Sequence, residues 1–204
     1  MQSVVIMISG KQGSGKTATT SFLNEIFSHK KMKIETYKFA GPIYEMQDAV
    51  WAIYSKYGYE MKDFVGEKDG ELLQWLGTQH GRKKDQDIWV NILKKRAIEF
   101  LREAESKSEP GVVMVDDLRF KNEFTAAESI ARFGKVIRIR LECPEEIRKA
   151  RMAPDTWRDN TTHQSEIDLD DWVDKFDLVV DTSQNLQACR KAIVHHLQKE
   201  LGLL

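Results

Sequence analysis

Val4-Val5-Ile6-Met7-Ile8-Ser9-Gly10-Lys11-Gln12-Gly13-Ser14-Gly15-Lys16-Thr17 is the stretch on which the fold turns. Its first half is an apolar, β-rich run. Its second half meets the pattern G-x-x-x-x-G-K-[ST] at every fixed position, Gly10 to Thr17. Glycines there let the backbone turn its N–H groups toward a polyphosphate, Lys16 reaches the β- and γ-phosphates, and Thr17 offers a hydroxyl to magnesium. Behind the loop, Phe22, Leu23, Ile26 and Phe27 recur at helical spacing over residues 16–30, so a helix points its positive N-terminus at the same anion. A plain flexible glycine turn is the bland alternative, but a strand before and a helix after are the context the motif requires.

Outward from that stretch, strands and helices alternate. Residues 33–39 read as a second strand, and 43–57 as a helix with Pro42 at its first turn. Residues 58–70 are polar and broken, a loop; 71–80 and 88–104 are helical. After the turn Glu109-Pro110-Gly111, Val112-Val113-Met114-Val115 is a strand buried on both faces. Helices over 120–133, 144–152 and 186–201 and strands over 135–141 and 178–180 complete the series, with a short acidic helix over 166–175. This alternation predicts α/β architecture: a parallel sheet with helices on both sides.

The 204 residues correspond to about one domain. With 31 basic against 32 acidic side chains the net charge is −1, so polyanion binding has to be local, and a polymeric nucleic-acid partner is not expected. The longest apolar run near the N-terminus is far below a membrane span and lacks a preceding basic cluster, so neither a membrane segment nor a secretory signal is expected. Cys143 and Cys189 match no metal or redox spacing and read as reduced thiols, which places the chain in a cytoplasm and leaves the sequon at Asn160 without meaning.

A phosphate-loop protein needs a second acid on the magnesium side at the end of a buried strand. Asp116-Asp117-Leu118-Arg119 supplies two candidates after 112–115; either aspartate, or neither, faces the metal, and Arg119 can fork onto a phosphate. Further cations are wanted where two phosphate chains meet. Arg148, Arg151 and Arg158 flank the irregular stretch 153–164, although each alone reads equally well as a solvated charge. Arg82 alone is a loop arginine. Ser165 and Asp168 fit an S-x-x-D capping box for the acidic helix, the histidines have no metal-ligand partners, and Trp51, Trp75 and Trp172 read as packing aromatics. No general base stands out, and a phosphate acceptor needs none.

Together these residues resemble a family. The phosphate loop, Lys38-Phe39-Ala40-Gly41-Pro42, Leu76-Gly77-Thr78 with Arg82 and Asp87-Ile88-Trp89-Val90, Asp117-Leu118-Arg119-Phe120-Lys121-Asn122-Glu123, His163-Gln164-Ser165-Glu166 and a closing Phe176-Asp177-Leu178-Val179-Val180-Asp181 follow the order of the bacteriophage-type deoxynucleoside monophosphate kinases. The chain departs from that pattern at Gly41, where an acid is common, and at Asp181-Thr182-Ser183, where N-D-G is usual.

The resemblance implies a three-layer P-loop kinase fold: a five-stranded parallel sheet (core 1–38, 108–152 and 167–204), an inserted helical acceptor-binding subdomain (about 39–107) and a short lid (about 153–166). It implies ATP held by Gly10, Lys11, Gln12, Gly13, Ser14, Gly15, Lys16, Thr17 and Arg148, with the loop at 183–186 near the adenine. Magnesium falls to Thr17 with Asp116 or Asp117. The acceptor, a deoxynucleoside monophosphate, falls to Lys38, Phe39, Arg82, Trp89, Asp117, Arg119 and Glu166. Lys16, Arg119, Arg151 and Arg158 then stabilise the transferring group. A homodimer is left open. Rival readings are a kinase of another small acceptor, of dephospho-coenzyme A or phosphomevalonate type, and an ATP-binding module without transfer; a polynucleotide 5′-kinase is disfavoured by the balanced charge.

Overall fold

The computed structural model describes residues 2–59, 68–153, 157 and 163–202. Arg158, the sequon, most of the expected lid and residues 60–67 of the expected insert lie outside them.

Five parallel strands run in the order β2-β3-β1-β4-β5: β1 (Val4–Gly10), β2 (Lys33–Tyr37), β3 (Gly111–Leu118), β4 (Lys135–Glu142) and β5 (Leu178–Asp181). The central strand β1 is buried along its whole length, which is why its sequence is apolar without alternation. Its side chains divide between two cores. Val5 and Met7 join Val113 and Val115 of β3 under α4 (Ile88–Ser106) and α5 (Lys121–Ile130), through Leu93, Phe100, Leu101, Phe124 and Ile130. Val4, Ile6 and Ile8 face the other way, packing with Leu23 and Phe27 of α1 (Lys16–His29) and Ile193 and Leu197 of α8 (Leu186–Leu201). The result is the expected three-layer α/β sandwich.

Strand order positions the site. The chain leaves β1 toward β2 on one side and leaves β3 toward β4 on the other, so the connections diverge between β1 and β3 and open a crevice at their carboxyl ends. The phosphate loop, the two aspartates and the arginine after them all meet there.

Between β2 and β3 stand α2 (Gly41–Lys56), α3 (Gly70–Gln74), a π-helical segment (Trp75–Arg82) and α4. Pro42 sits in the first turn of α2, as its sequence position predicts. The single helix expected over 71–80 is instead the short α3, capped by the Asp69 carboxylate on the Leu72 N–H (3.0 Å), running into the wider π turn. Gly77 and Gly81 explain the change. A methyl at Gly81 would lie 2.4 Å from Trp89 Cζ2, and the Trp89 indole N–H donates to the Gly77 carbonyl oxygen at 2.9 Å. Arg82 is therefore the last residue of an ordered helical turn, not a loop arginine. Trp75 is 48% exposed and stacks on His80, so it is not a core residue.

Near the C-terminus, α6 (Glu145–Ala150) is followed by α7 (Gln164–Ile167) and a 3₁₀ turn (Asp170–Lys175) that breaks the expected acidic helix. The Ser165–Asp168 capping box does not form. His163 Nδ1 caps α7 on the Ser165 N–H, while Asp168 accepts the Lys121 N–H at 2.7 Å and so caps α5. The donor left open at the start of a ten-residue helix wins that carboxylate.

Candidate active site

The loop from Gly10 to Gly15 wraps the N-terminus of α1. Gly13, at φ +77°, has no room for a side chain, because a Cβ would meet the Arg148 carbonyl oxygen at 2.8 Å. Arg148 is buried and clamps the loop from behind, donating to the Gln12 carbonyl (2.9 Å) and the Cys143 carbonyl (3.1 Å). Thr182, at the end of β5, donates to the Ser14 carbonyl at 2.9 Å from the opposite side. Thr182, the middle residue of the departure from N-D-G, thus pins the phosphate loop. The next residue, Ser183, turns back onto Asp181.

Lys16 folds back, donating to the Gly10 carbonyl (2.5 Å) and the Lys11 carbonyl (3.0 Å). Burial, reinforced by the Arg119 charge, lowers its pKa to about 8, although Glu166, Asp116 and Asp117 pull the other way. Thr17 is exposed on the cleft side. Lys11 pairs with Asp170 at 2.7 Å, and the other oxygen of Asp170 accepts from Arg140 at 2.7 Å. Arg140 is buried and also reaches Ser9 and Glu142, so Asp170 ties the loop to β4. Sequence reasoning passed over Arg140; an arginine inside the apolar strand over 135–141 was the available signal.

The two aspartates separate by a bulge. Register runs Met7↔Val115 and then Ser9↔Leu118, so β3 carries one extra residue where β1 carries none. Asp117 turns to the loop after β2, its two oxygens accepting the Phe39 N–H and the Ala40 N–H, both at 2.9 Å. Burial, with the Asp116 charge adding, pushes its carboxyl up; those two N–H groups oppose the rise. Asp117, expected at the metal or the acceptor, is thus a structural tie that carries Lys38 and Phe39 to the cleft. Asp116 Oδ1 is buried and faces Lys38 Nζ at 3.4 Å as an ion pair, without accepting a hydrogen bond. A carboxylate that accepts no hydrogen bond and a hydroxyl, Thr17, lining the same cleft suit a hard cation that keeps part of its water shell. No cluster of three or more His, Cys, Asp or Glu with metal-site spacing occurs among the described residues.

The acceptor side is built on α5. Arg82 donates to Glu123 Oε1 at 2.6 Å and lies with its guanidinium 3.9 Å from the Phe120 ring centre. Arg119 is held by the buried Glu166, whose other oxygen faces the Gln12 N–H at 3.4 Å. Glu166, expected at the acceptor, is therefore the link between Arg119 and the phosphate loop. Trp89 is buried with its N–H spent on Gly77, so its ring offers the cleft no polar contact. Phe39 is likewise buried, fixed through its N–H by Asp117. Burial and the Asp117 charge push Glu123 up to about 7, against Arg82 and the Arg119 and Phe120 N–H groups.

One cavity of about 1140 Å³ joins these parts. Gln12, Gly13, Lys16, Thr17 and Asp116 line it from the ends of β1 and β3, Arg82, Arg119, Phe120 and Trp89 from the acceptor side, and Ile43, Tyr44, Lys68, Asp69, Glu71, Leu73, Gln74 and Thr78 from α2, residues 68–74 and the π turn. Arg151, expected to neutralise the transferring group, is not among its walls. It donates to the Thr182 carbonyl (2.5 Å) and lies 3.5 Å from Cys143 Sγ, on the β5 side of the loop.

A family model described as an AAA domain matches residues 6–173. Among solved structures, TT1252 from Thermus thermophilus is 14% identical with a TM-score of 0.57, covering 98% of this chain and 99% of that one. APE1195 is 14% identical with a TM-score of 0.52, covering 98% and 97%. A gluconokinase from Sinorhizobium meliloti 1021 is 18% identical over 97% and 92%, with a TM-score of 0.49. At these identities the likeness concerns the fold alone. No curated protein matches the sequence. No helix among the described residues is long and apolar enough to cross a membrane.

Proposed function

The chain belongs to the AAA-domain family, and from that premise we propose that it is a magnesium-dependent kinase moving the γ-phosphate of ATP onto the phosphate of a deoxynucleoside monophosphate. The single observation that carries this reading is the continuous cavity, whose walls include the phosphate loop with Lys16, the pair Arg82 and Arg119, and a mixed apolar and polar surface from α2 and α3. The phosphate loop supports a triphosphate. Arg82 and Arg119 support a second phosphate, and Phe39, Ile43, Tyr44 and Leu73 of the same cavity offer apolar surface against which a base can pack.

In this reading, residues 39–107 bind the acceptor. Lys16 leaves the Gly10 and Lys11 carbonyls for the donor phosphates, which restores its full charge. Thr17, and Asp116 through water, would hold magnesium, which when bound spreads the charge of the β- and γ-phosphates. An acceptor phosphate oxygen bonds to the γ-phosphorus as the bond to the β,γ-bridging oxygen breaks, leaving ADP. That oxygen is already ionised near neutral pH, so no base is needed, and the work of the chain is alignment and charge stabilisation.

The test is turnover of ATP with a panel of deoxy- and ribonucleoside monophosphates, alongside dephospho-coenzyme A and phosphomevalonate. Diphosphate from at least one deoxynucleotide is expected, with Arg82→Ala and Arg119→Ala raising the acceptor KM and leaving the ATP Kd nearly unchanged. Turnover only with a hydroxyl acceptor, or ATP binding with no transfer to any acceptor, overturns the reading.

A further inference from the structure

We propose that Glu123 is the positioning residue of the acceptor clamp, fixing Arg82 of the insert against the end of β3. The proposal rests on the reading above, in which Arg82 binds the acceptor phosphate. Glu123 is the third residue of α5 and is only 2% exposed. Oε2 accepts the N–H groups of Arg119 (2.8 Å) and Phe120 (3.0 Å), which is what an acid in the first turn of a helix ordinarily does. Oε1 does something else: it takes Arg82 Nη2 at 2.6 Å, from 41 residues away in the chain.

The neighbours of Glu123 complete a cradle. Phe120 lies under the guanidinium. The Asn122 amide nitrogen is spent on the Gln86 carbonyl (3.1 Å) and on Asp87 (2.8 Å), which aims its oxygen at Arg82 Nη1, 3.5 Å away. A guanidinium carries five N–H donors in a rigid fork, so fixing one edge aims the remaining donors into the cavity that Arg82 lines. The same carboxylate thus sets Arg82 and the backbone of Arg119 in one frame, and one phosphate can be met by both.

Glu123→Gln separates the two jobs. Its carbonyl oxygen can still accept from the Arg119 and Phe120 N–H groups, but its NH₂ cannot accept from Arg82. A capping role alone predicts no kinetic change. Positioning predicts an acceptor KM raised about tenfold or more, kcat moved far less and the ATP Kd unchanged. Adding Glu123→Gln to Arg82→Ala then produces no further rise. An unchanged KM in Glu123→Gln, or effects that multiply in the double variant, overturns the proposal. Should Glu123→Gln fail to fold, Glu123→Asp draws the charge back by one methylene and supplies the same comparison. A substrate-free readout distinguishes this from the activity itself. In the free protein the ¹⁵N–¹H Nε signal assigned to Arg82, by its loss in Arg82→Ala, shows a held guanidinium that Glu123→Gln releases to free rotation. If no nucleotide is turned over by the wild type, the acceptor reading fails while this signal still decides the positioning.

Discussion

Replacing Gly81 by alanine tests how Arg82 is delivered to the cleft. The added methyl would lie 2.4 Å from Trp89 Cζ2, about 1 Å inside the 3.4 Å at which ordinary contacts begin, and 2.9 Å from the Leu76 carbonyl oxygen. That carbonyl belongs to the same π-helical turn and has little room to move, so the indole has to retreat. The indole is buried, and its N–H bond to Gly77 measures 2.9 Å. A retreat of about 1 Å takes it beyond hydrogen-bond range. Overpacking costs about 1–3 kcal/mol. The N–H and carbonyl left unpaired in the core cost about 1–3 kcal/mol more. A loss of about 2–6 kcal/mol is therefore expected, a large part of the stability of an ordinary domain. Urea unfolding measures it as a lower midpoint with an unchanged slope. Trp89→Phe supplies the cross-check. In the native background it destabilises, because the bond to Gly77 is lost; beside Gly81→Ala it relieves the clash, and the double variant is more stable than Gly81→Ala alone. A loss below about 0.5 kcal/mol, or the same cost of Trp89→Phe in both backgrounds, refutes the packing account.

Three further predictions concern charge. Asp116→Asn is expected to abolish the magnesium dependence of turnover with little change in urea midpoint, whereas Asp117→Asn leaves one of the Phe39 and Ala40 N–H groups without its acceptor and costs about 1–3 kcal/mol; the opposite pattern would reverse the assignment of the two acids. The folded pKa of Lys16, about 8, lies below its ordinary 10.5. Folding therefore disfavours its charged form, a penalty fully present below pH 8 and relieved as pH rises toward 10.5. Its share of stability rises across that window by about 3 kcal/mol at most, and Lys16→Met removes the slope. Because phosphates restore the charge, ATP binding at about pH 8.5 takes up protons, which calorimetry in buffers of different ionisation enthalpy detects; zero uptake contradicts the shift.

Local signals carried the reading furthest where geometry is short-range. The phosphate loop, its flanking strand and helix and the alternation of elements are properties of neighbouring residues, and each appears where the sequence places it. The roles of Asp116 and Asp117 depended on a bulge defined by pairing with β1, more than a hundred residues earlier in the chain. Ser165 and Asp168 have the spacing of a capping box, yet Asp168 serves a helix that begins 47 residues before it. Arg148 and Arg151 lie close together in sequence and on one short helix and its end, but one holds Gln12 and the other Thr182. Glu123 was overlooked as a site residue because an acid in a first helical turn is already explained by the helix. Only the arrival of Arg82 gives it a second task.

The pairing of the cleft cations has a kinetic consequence. Lys11, Lys38, Arg82 and Arg119 each already face a carboxylate: Asp170, Asp116, Glu123 and Glu166. Viewed from a distance, these four pairs cancel and cast little long-range pull on passing polyanions. Recruitment of a small phosphate compound then proceeds by exchange of partners at close range, after an unsteered encounter. Its association rate is accordingly governed by collision and fit, and is only weakly sensitive to ionic strength.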